Sequence, residues 1–133
     1  MIPTRGNKFG ARRAVDHQGR SYASTAEKDR AEELLLLQQG GAISGLIAQP
    51  VVQLAGAVNY RPDFRYLEAG GREIFEDVKG VVTERFAVIC QLWAKWGPAT
   101  LRITQRSNRR SGFLVRREIL PKPSRTGDDD ASI

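Results

Sequence analysis

Apolar and polar residues follow two different periods along the chain, and the changes of period mark out the elements. From Ser24 to Gln39 the period is helical, with Ala23, Ala26, Arg30, Leu34 and Leu37 on one stripe. Ser24-Thr25-Ala26-Glu27 fits a capping box, in which the serine accepts a backbone N–H and the glutamate reaches back. Gly40-Gly41 end this helix, and Arg30, which interrupts the stripe, must snorkel or find a partner. Residues Ile43 to Leu54 read as a strand whose Gln49-Pro50 demands an edge, a bulge or a strand end, because proline has no ladder N–H. Two longer runs of strand composition follow, Ala57 to Leu67 and Glu73 to Lys79, joined by Glu68-Ala69-Gly70-Gly71-Arg72 as a hairpin turn. Thr83 then caps a second helix with the apolar stripe Phe86, Ile89, Cys90, Trp93 and Trp96, stopped by Gly97-Pro98. Ala99 to Thr104 alternates like a last core strand, and Phe113 to Arg116 suggests one more short strand. The order helix, strand, strand, strand, helix, strand predicts an α/β (α+β) domain with helices flanking a mixed central sheet.

The hairpin brings the first chemistry. A turn centred near Gly70 sets Asp63 opposite Asp77, and the two-residue strand period puts Lys79 on the face of Asp77 and Glu76 on the other. Carboxylates facing each other across a pair of strands repel unless a cation sits between them, so the arrangement asks for a metal. The competing reading makes both aspartates exposed hairpin charges, with Lys79 as their ion-pair partner. One cysteine, Cys90, and one histidine, His17, exclude a disulfide framework and a Cys- or His-rich metal site. An all-oxygen site remains, which favours Mg²⁺ or Mn²⁺. Cys90 lies within an apolar helical stripe and reads as a small core residue, and His17 lies in a turn.

Charge changes the picture of what such a site acts on. Lys and Arg outnumber acids five to one in residues 1–24 and eight to four in 102–133, whereas the centre has eight against ten. Basic arms around a faintly acidic centre suit a polyanion held by the ends and cations held in the middle. Lys8, Arg12 and Arg13 in the first arm and Arg106, Arg109 and Arg110 after the last core strand are the candidates for nucleic-acid contact. The other reading of these arms is that they only keep a small protein soluble. No apolar run approaches the ~20 residues that span a membrane, and no signal pattern leads the chain, so a cytoplasmic setting and no membrane partner are expected. The expected divisions are a basic arm over 1–20, a core over 21–104 and a basic extension over 105–133 with an acidic, disordered-type end at Asp128-Asp129-Asp130.

Pro62-Asp63 and, on the next strand, Asp77-Val78-Lys79 resemble the signature of the PD-(D/E)XK nuclease superfamily, whose αβββαβ restriction-endonuclease-like core has the element order given above. More narrowly, the chain resembles small phage-encoded proteins of that superfamily of the Holliday-junction-resolvase-like kind. That likeness rests on Gly6-Asn7-Lys8, Tyr22-Ala23-Ser24 with Glu27, Gln49-Pro50, Asp63-Phe64-Arg65-Tyr66 and Glu76-Asp77-Val78-Lys79-Gly80, within residues 6–104. It does not extend to the tail. The resemblance implies that Asp63, Asp77 and the carbonyl of Val78 bind the divalent ion. Glu27 would hold that ion directly or through water, or else serve only as the helix cap. Lys79 would orient or deprotonate the attacking water. Gln49 is an accessory candidate, or pairs with backbone where Pro50 interrupts the ladder.

The function expected on these grounds is a Mg²⁺-dependent endonuclease on branched or structured DNA in phage recombination, replication or packaging, located in the host cytoplasm. Cutting two symmetry-related strands implies a homodimer, for which the surplus of the Leu34 to Leu37 run is a candidate surface. The alternatives are a non-catalytic nucleic-acid-binding protein on the same fold, and a nuclease subunit that needs a partner protein.

Overall fold

The structure is a computed structural model and describes residues 14–15, 21–22, 24–107 and 112–122. Lys8, Arg12, Arg13, His17, Arg109, Arg110 and the acidic end lie outside the described residues. The elements are β1 (Ala14–Val15), β2 (Ser21–Tyr22), α1 (Thr25–Gln39), β3 (Ile43–Ala48), β4 (Val52–Gln53), β5 (Asn59–Tyr60), β6 (Phe64–Glu68), β7 (Glu73–Val78), α2 (Glu84–Trp96), β8 (Thr100–Arg106) and β9 (Phe113–Ile119). Five strands form one mixed sheet in the order β3-β6-β7-β8-β9, with β7 at its centre. Only β7 and β8 run parallel, and α2 makes the crossover that such a pair requires. The alternation along β7 shows both faces in use. Ile74 joins the cluster of Ala31, Leu34, Ile43, Phe64 and Tyr66 under α1, while Phe75 joins Phe86, Ile89, Cys90, Trp93, Leu101 and Ile103 under α2. β9 closes the far edge, and Ile119 contributes to the α2 cluster, so residues beyond 104 take part in the core. No helix among the described residues is long and apolar enough to cross a membrane.

Both helices begin where their caps were expected. Ser24 Oγ accepts the Glu27 N–H at 3.1 Å, and Thr83 Oγ1 accepts the Phe86 N–H at 3.2 Å. The buried face of α1 differs from the expected stripe: it consists of Glu27, Ala31 and Leu34, while Leu37 is partly exposed and Leu36 points to solvent. Four consecutive leucines offer an apolar residue at every rotation, so the charged residues set the rotation instead. Arg30 turns inward because it has found its partner. Its guanidinium donates to Glu76 at 2.6 and 2.9 Å, and Glu76 also accepts from Tyr66 at 2.5 Å and from Thr104 at 2.9 Å. In α2 the stripe holds through Trp93, but Trp96 is 55% exposed. Trp93 is locked by an Nε1 bond to the Ala99 carbonyl at 2.7 Å, and any Cβ on Gly97 would meet its ring at 2.5 Å.

The two long strands expected over 43–54 and 57–67 are each broken in two. The ladder between β3 and β6 ends at the pair Ala48↔Phe64, with Pro50 and Pro62 just beyond it. Neither proline can donate to a ladder, so both chains leave the sheet together and pair again as β4 with β5, Val52↔Tyr60 and Gln53↔Asn59. The hairpin between β6 and β7 keeps the expected register, Phe64↔Glu76 through Leu67↔Glu73, centred on Gly70. Its turn uses Gly71 at φ 91° and closes with the Glu68 N–H on the Arg72 carbonyl at 2.9 Å.

Removing the cation from the Glu76 cluster should leave a fully buried carboxylate uncompensated. Arg30→Met is expected to destabilise the fold by about 3–5 kcal/mol in urea unfolding. The double variant Arg30→Met/Glu76→Gln should recover much of that loss. An additive double variant would refute the pairing as the source of the effect.

Candidate functional site

The register that centres the hairpin on Gly70 runs on, past the last ladder pair, to set Asp63 against Asp77 at the end of the sheet where the prolines turn the chain away. Asp63 follows Pro62, which is fully buried, and two backbone contacts fix it. Its carbonyl accepts the Gln49 N–H at 2.8 Å, and its carboxylate Oδ2 accepts the Val78 N–H at 2.8 Å. Gln49 holds the left-handed backbone (φ 53°) at the end of β3. Its side chain turns toward α1, where Nε2 lies 3.5 Å from a carboxylate oxygen of the buried Glu27. Gln49 therefore pairs through its own N–H with backbone where the ladder ends, and its side chain lies beside Glu27.

Asp77 is buried on the α2 face of β7. Tyr60, brought over it by the β4–β5 excursion, donates its hydroxyl to Asp77 Oδ2. Lys79 Nζ lies 3.7 Å from the same oxygen and 4.4 Å from the centroid of the Phe86 ring. The Lys79 N–H is tied to the Thr104 carbonyl at 2.9 Å, so the parallel β7–β8 pairing sets where the ammonium begins. Glu76 points to the other face, as the strand period requires, and is held by Arg30, Tyr66 and Thr104.

These carboxylates are not comfortable as anions. Burial, then the charge of Glu27, raises Asp63 to about 7, against the pull of the Val78 N–H and Lys79. Burial also raises Asp77 to about 7, opposed by Lys79 and reinforced by Glu27. Acids held so far above their usual range and gathered at one sheet end are a mark of functional sites.

The oxygen donors suit a hard divalent cation. Among the described residues no group of three or more His, Cys, Asp and Glu side chains is arranged to hold a metal ion. Magnesium is commonly held by one or two carboxylates, with waters and substrate phosphate completing its shell, and Asp63 and Asp77 are the two carboxylates that could take that part. In comparisons with known proteins, no family model and no curated protein matches the sequence.

Of the candidates from the sequence, Asp63, Asp77, Val78, Lys79, Gln49 and Glu27 come together at one end of the sheet. Arg106, expected to contact nucleic acid, lies two residues past Thr104, the partner of Val78, and is engaged in an ion pair with Asp29 at 2.5 Å and against the Phe113 ring. Thr83 serves as the α2 cap. Tyr60 was not singled out in the sequence. A continuous strand over 57–67 would send its ring to the face opposite Asp63, and only the break at Pro62 swings it onto Asp77. The available signal was the proline itself, two residues after an aromatic.

The raised carboxyls fix the sign of a pH effect. Each favours the fold below its unfolded value of 3.8, and that contribution is lost as pH rises through about 7. Asp63→Asn and Asp77→Asn are therefore expected to melt higher than the parent at pH 8, by a few degrees, and to lose that advantage near pH 4. Millimolar Mg²⁺ should raise the melting temperature of the parent at pH 8 and leave both variants unmoved. Equal melting of parent and variants across this range would contradict the burden placed on these two groups.

Proposed function

We propose that the protein is a metal-dependent endonuclease that hydrolyses phosphodiester bonds of branched or structured DNA. The observation that carries this reading is the convergence of Asp63, Asp77 and Lys79 at one sheet end, with both carboxyls raised to about 7 and Lys79 beside them. A divalent ion held by Asp63 and Asp77 would polarise the phosphoryl oxygen and lower the pKa of its bound water. The protein's own groups have separable tasks. The Val78 N–H and the Tyr60 hydroxyl fix one oxygen each of Asp63 and Asp77, which pre-sets the carboxylates before substrate arrives. Lys79 orients the attacking water through its N–H donors and offsets charge that develops on the phosphoryl group. Glu27 adds negative potential that strengthens the hold on a cation, and Gln49 restrains it.

The element order α1, β3, β6, β7, α2, β8 and the hairpin register agree with a PD-(D/E)XK nuclease core, into which β4–β5 is inserted and to which β9 is added. On this reading the basic ends supply affinity for the DNA backbone, and two protomers act together on a symmetric junction. Leu36 and Leu37, exposed at 67% and 37% on α1, are apolar residues available for that contact.

The test is cleavage of a four-way junction, a matched duplex and a single strand by the pure protein with Mg²⁺ or Mn²⁺. The junction is expected to be cut, with a loss of at least about 100-fold in Asp77→Asn, Asp63→Asn and Lys79→Ala while DNA binding persists. Binding without cutting in the parent would leave a non-catalytic nucleic-acid-binding protein. Undiminished cutting by both aspartate variants would refute the site.

A further inference from the structure

We propose that the cavity beside Lys79 receives one unpaired nucleotide of the DNA substrate, a subsite that rests on the nucleic-acid reading above. A cavity of about 440 Å³ opens between α2 and the β8–β9 end of the sheet. Phe86, Cys90 and Ile103, all buried, give it an apolar floor, and Lys79, Arg116 and Arg117 stand at its exposed rim. Among the described residues no Asp or Glu lines it. Three cations around an apolar floor describe a ligand that is flat and apolar at one end and anionic at the other, within the ~300–1,000 Å³ of small-molecule sites.

The two arginines are there for a structural reason. Successive residues of a regular strand point to opposite faces, so Arg116 and Arg117 should not share one cavity. The ladder of β8 and β9 slips between Thr104↔Val115 and Ile103↔Arg117, which makes Arg116 the extra residue of a β-bulge. A bulge re-aims a side chain, and here both arginines line the same cavity, with Arg116 Nη1 donating to Gln105 Oε1 at 2.5 Å. The charge of Arg117 is felt at the floor, where it opposes the rise that burial imposes on the Cys90 thiol.

Lys79 belongs both to this rim and to the carboxylate cluster, so a nucleotide seated here lies next to the phosphate under attack. A base stacked within a duplex cannot enter; an unpaired or extruded one can. The substrate class is thereby narrowed to DNA with an unpaired nucleotide beside the scissile bond, as at a bulge or branch point.

Binding is to be measured in EDTA with the full chain carrying Asp77→Asn, which separates recognition from cutting. A duplex with a single-nucleotide bulge is expected to bind roughly tenfold tighter than the same duplex fully paired. Ala87 and Gln91 line the cavity from exposed positions of α2. Ala87→Trp and Gln91→Trp should fill it and abolish the preference while duplex affinity stays within about twofold, and Arg116→Ala/Arg117→Ala should abolish the preference as well. Two different filling variants guard against one that fails to fold. A preference that survives in both folded tryptophan variants, or equal affinity for bulged and paired DNA in the Asp77→Asn parent, overturns the pocket. Absence of cleavage by the wild-type chain with the preference intact would remove the nuclease reading alone. Failure to bind any DNA would remove both.

Discussion

The site depends on one hydrogen bond, from the Val78 N–H to the Asp63 carboxylate. Extended by two residues, the β6–β7 register would set Pro62 against Val78, and the chain turns away at that point. An N–H left unpaired in the interior costs about 1–3 kcal/mol. Asp63 answers it from the side, at 2.8 Å. The same bond stops the ladder, ties the start of β6 to the end of β7, and fixes the orientation of a carboxylate that burial is trying to protonate. A side chain that had to be restrained for reasons of backbone satisfaction is thus already restrained for chemistry.

Glu76 and Asp77 are neighbours in sequence with opposite fates, and the strand period is the cause. Glu76 turns to the α1 face and meets a guanidinium, a phenol and a threonine hydroxyl, which together satisfy its lone pairs away from solvent. Its own burial, and then the charge of Glu76, push the Tyr66 phenol well above its ordinary range, so that hydroxyl stays a donor. Asp77 turns to the α2 face and meets one hydroxyl and a lysine that is only partly buried. Its charge is under-compensated where that of Glu76 is complete. Of these two neighbouring acids, Glu76 is therefore tied into the fold, while Asp77 keeps the less compensated negative charge.

Much of this could be read from the chain because the signals were local. The caps at Ser24 and Thr83, the stop at Gly97, the glycine turn and the hairpin register all depend on residues within one element or one turn. The partner of Arg30 was foreseeable as a need but not as Glu76, since the two are 46 residues apart. The rotation of α1 departs from the expected stripe for the same reason: the leucine run is uninformative, and the charged partner decides. The strand breaks at Pro50 and Pro62 show a different failure. Each proline warned of an interruption, but that the two fall beside each other, and so create β4–β5 and carry Tyr60 to Asp77, is a property of the β3–β6 pairing. The bulge at Arg116 likewise belongs to a ladder and not to a motif.

Lys79 gathers these threads. Its backbone position comes from Thr104, whose hydroxyl also serves Glu76 on the opposite face. Its ammonium rests over Phe86, and the ring is set by the first turn of α2, which Thr83 caps. Neither restraint comes from Asp77, which lies 3.7 Å away, longer than a direct hydrogen bond. The ammonium is therefore held near the carboxylate by the sheet and the helix as well as by their ion pair. A lysine locked onto its acid would neutralise the site; one supported from elsewhere leaves Asp77 an oxygen for a cation and keeps its own donors for water, phosphate or the nucleotide proposed for the adjoining cavity. The parallel pairing of β7 with β8 makes this possible, because it supplies the Thr104 carbonyl beyond the last residue of β7.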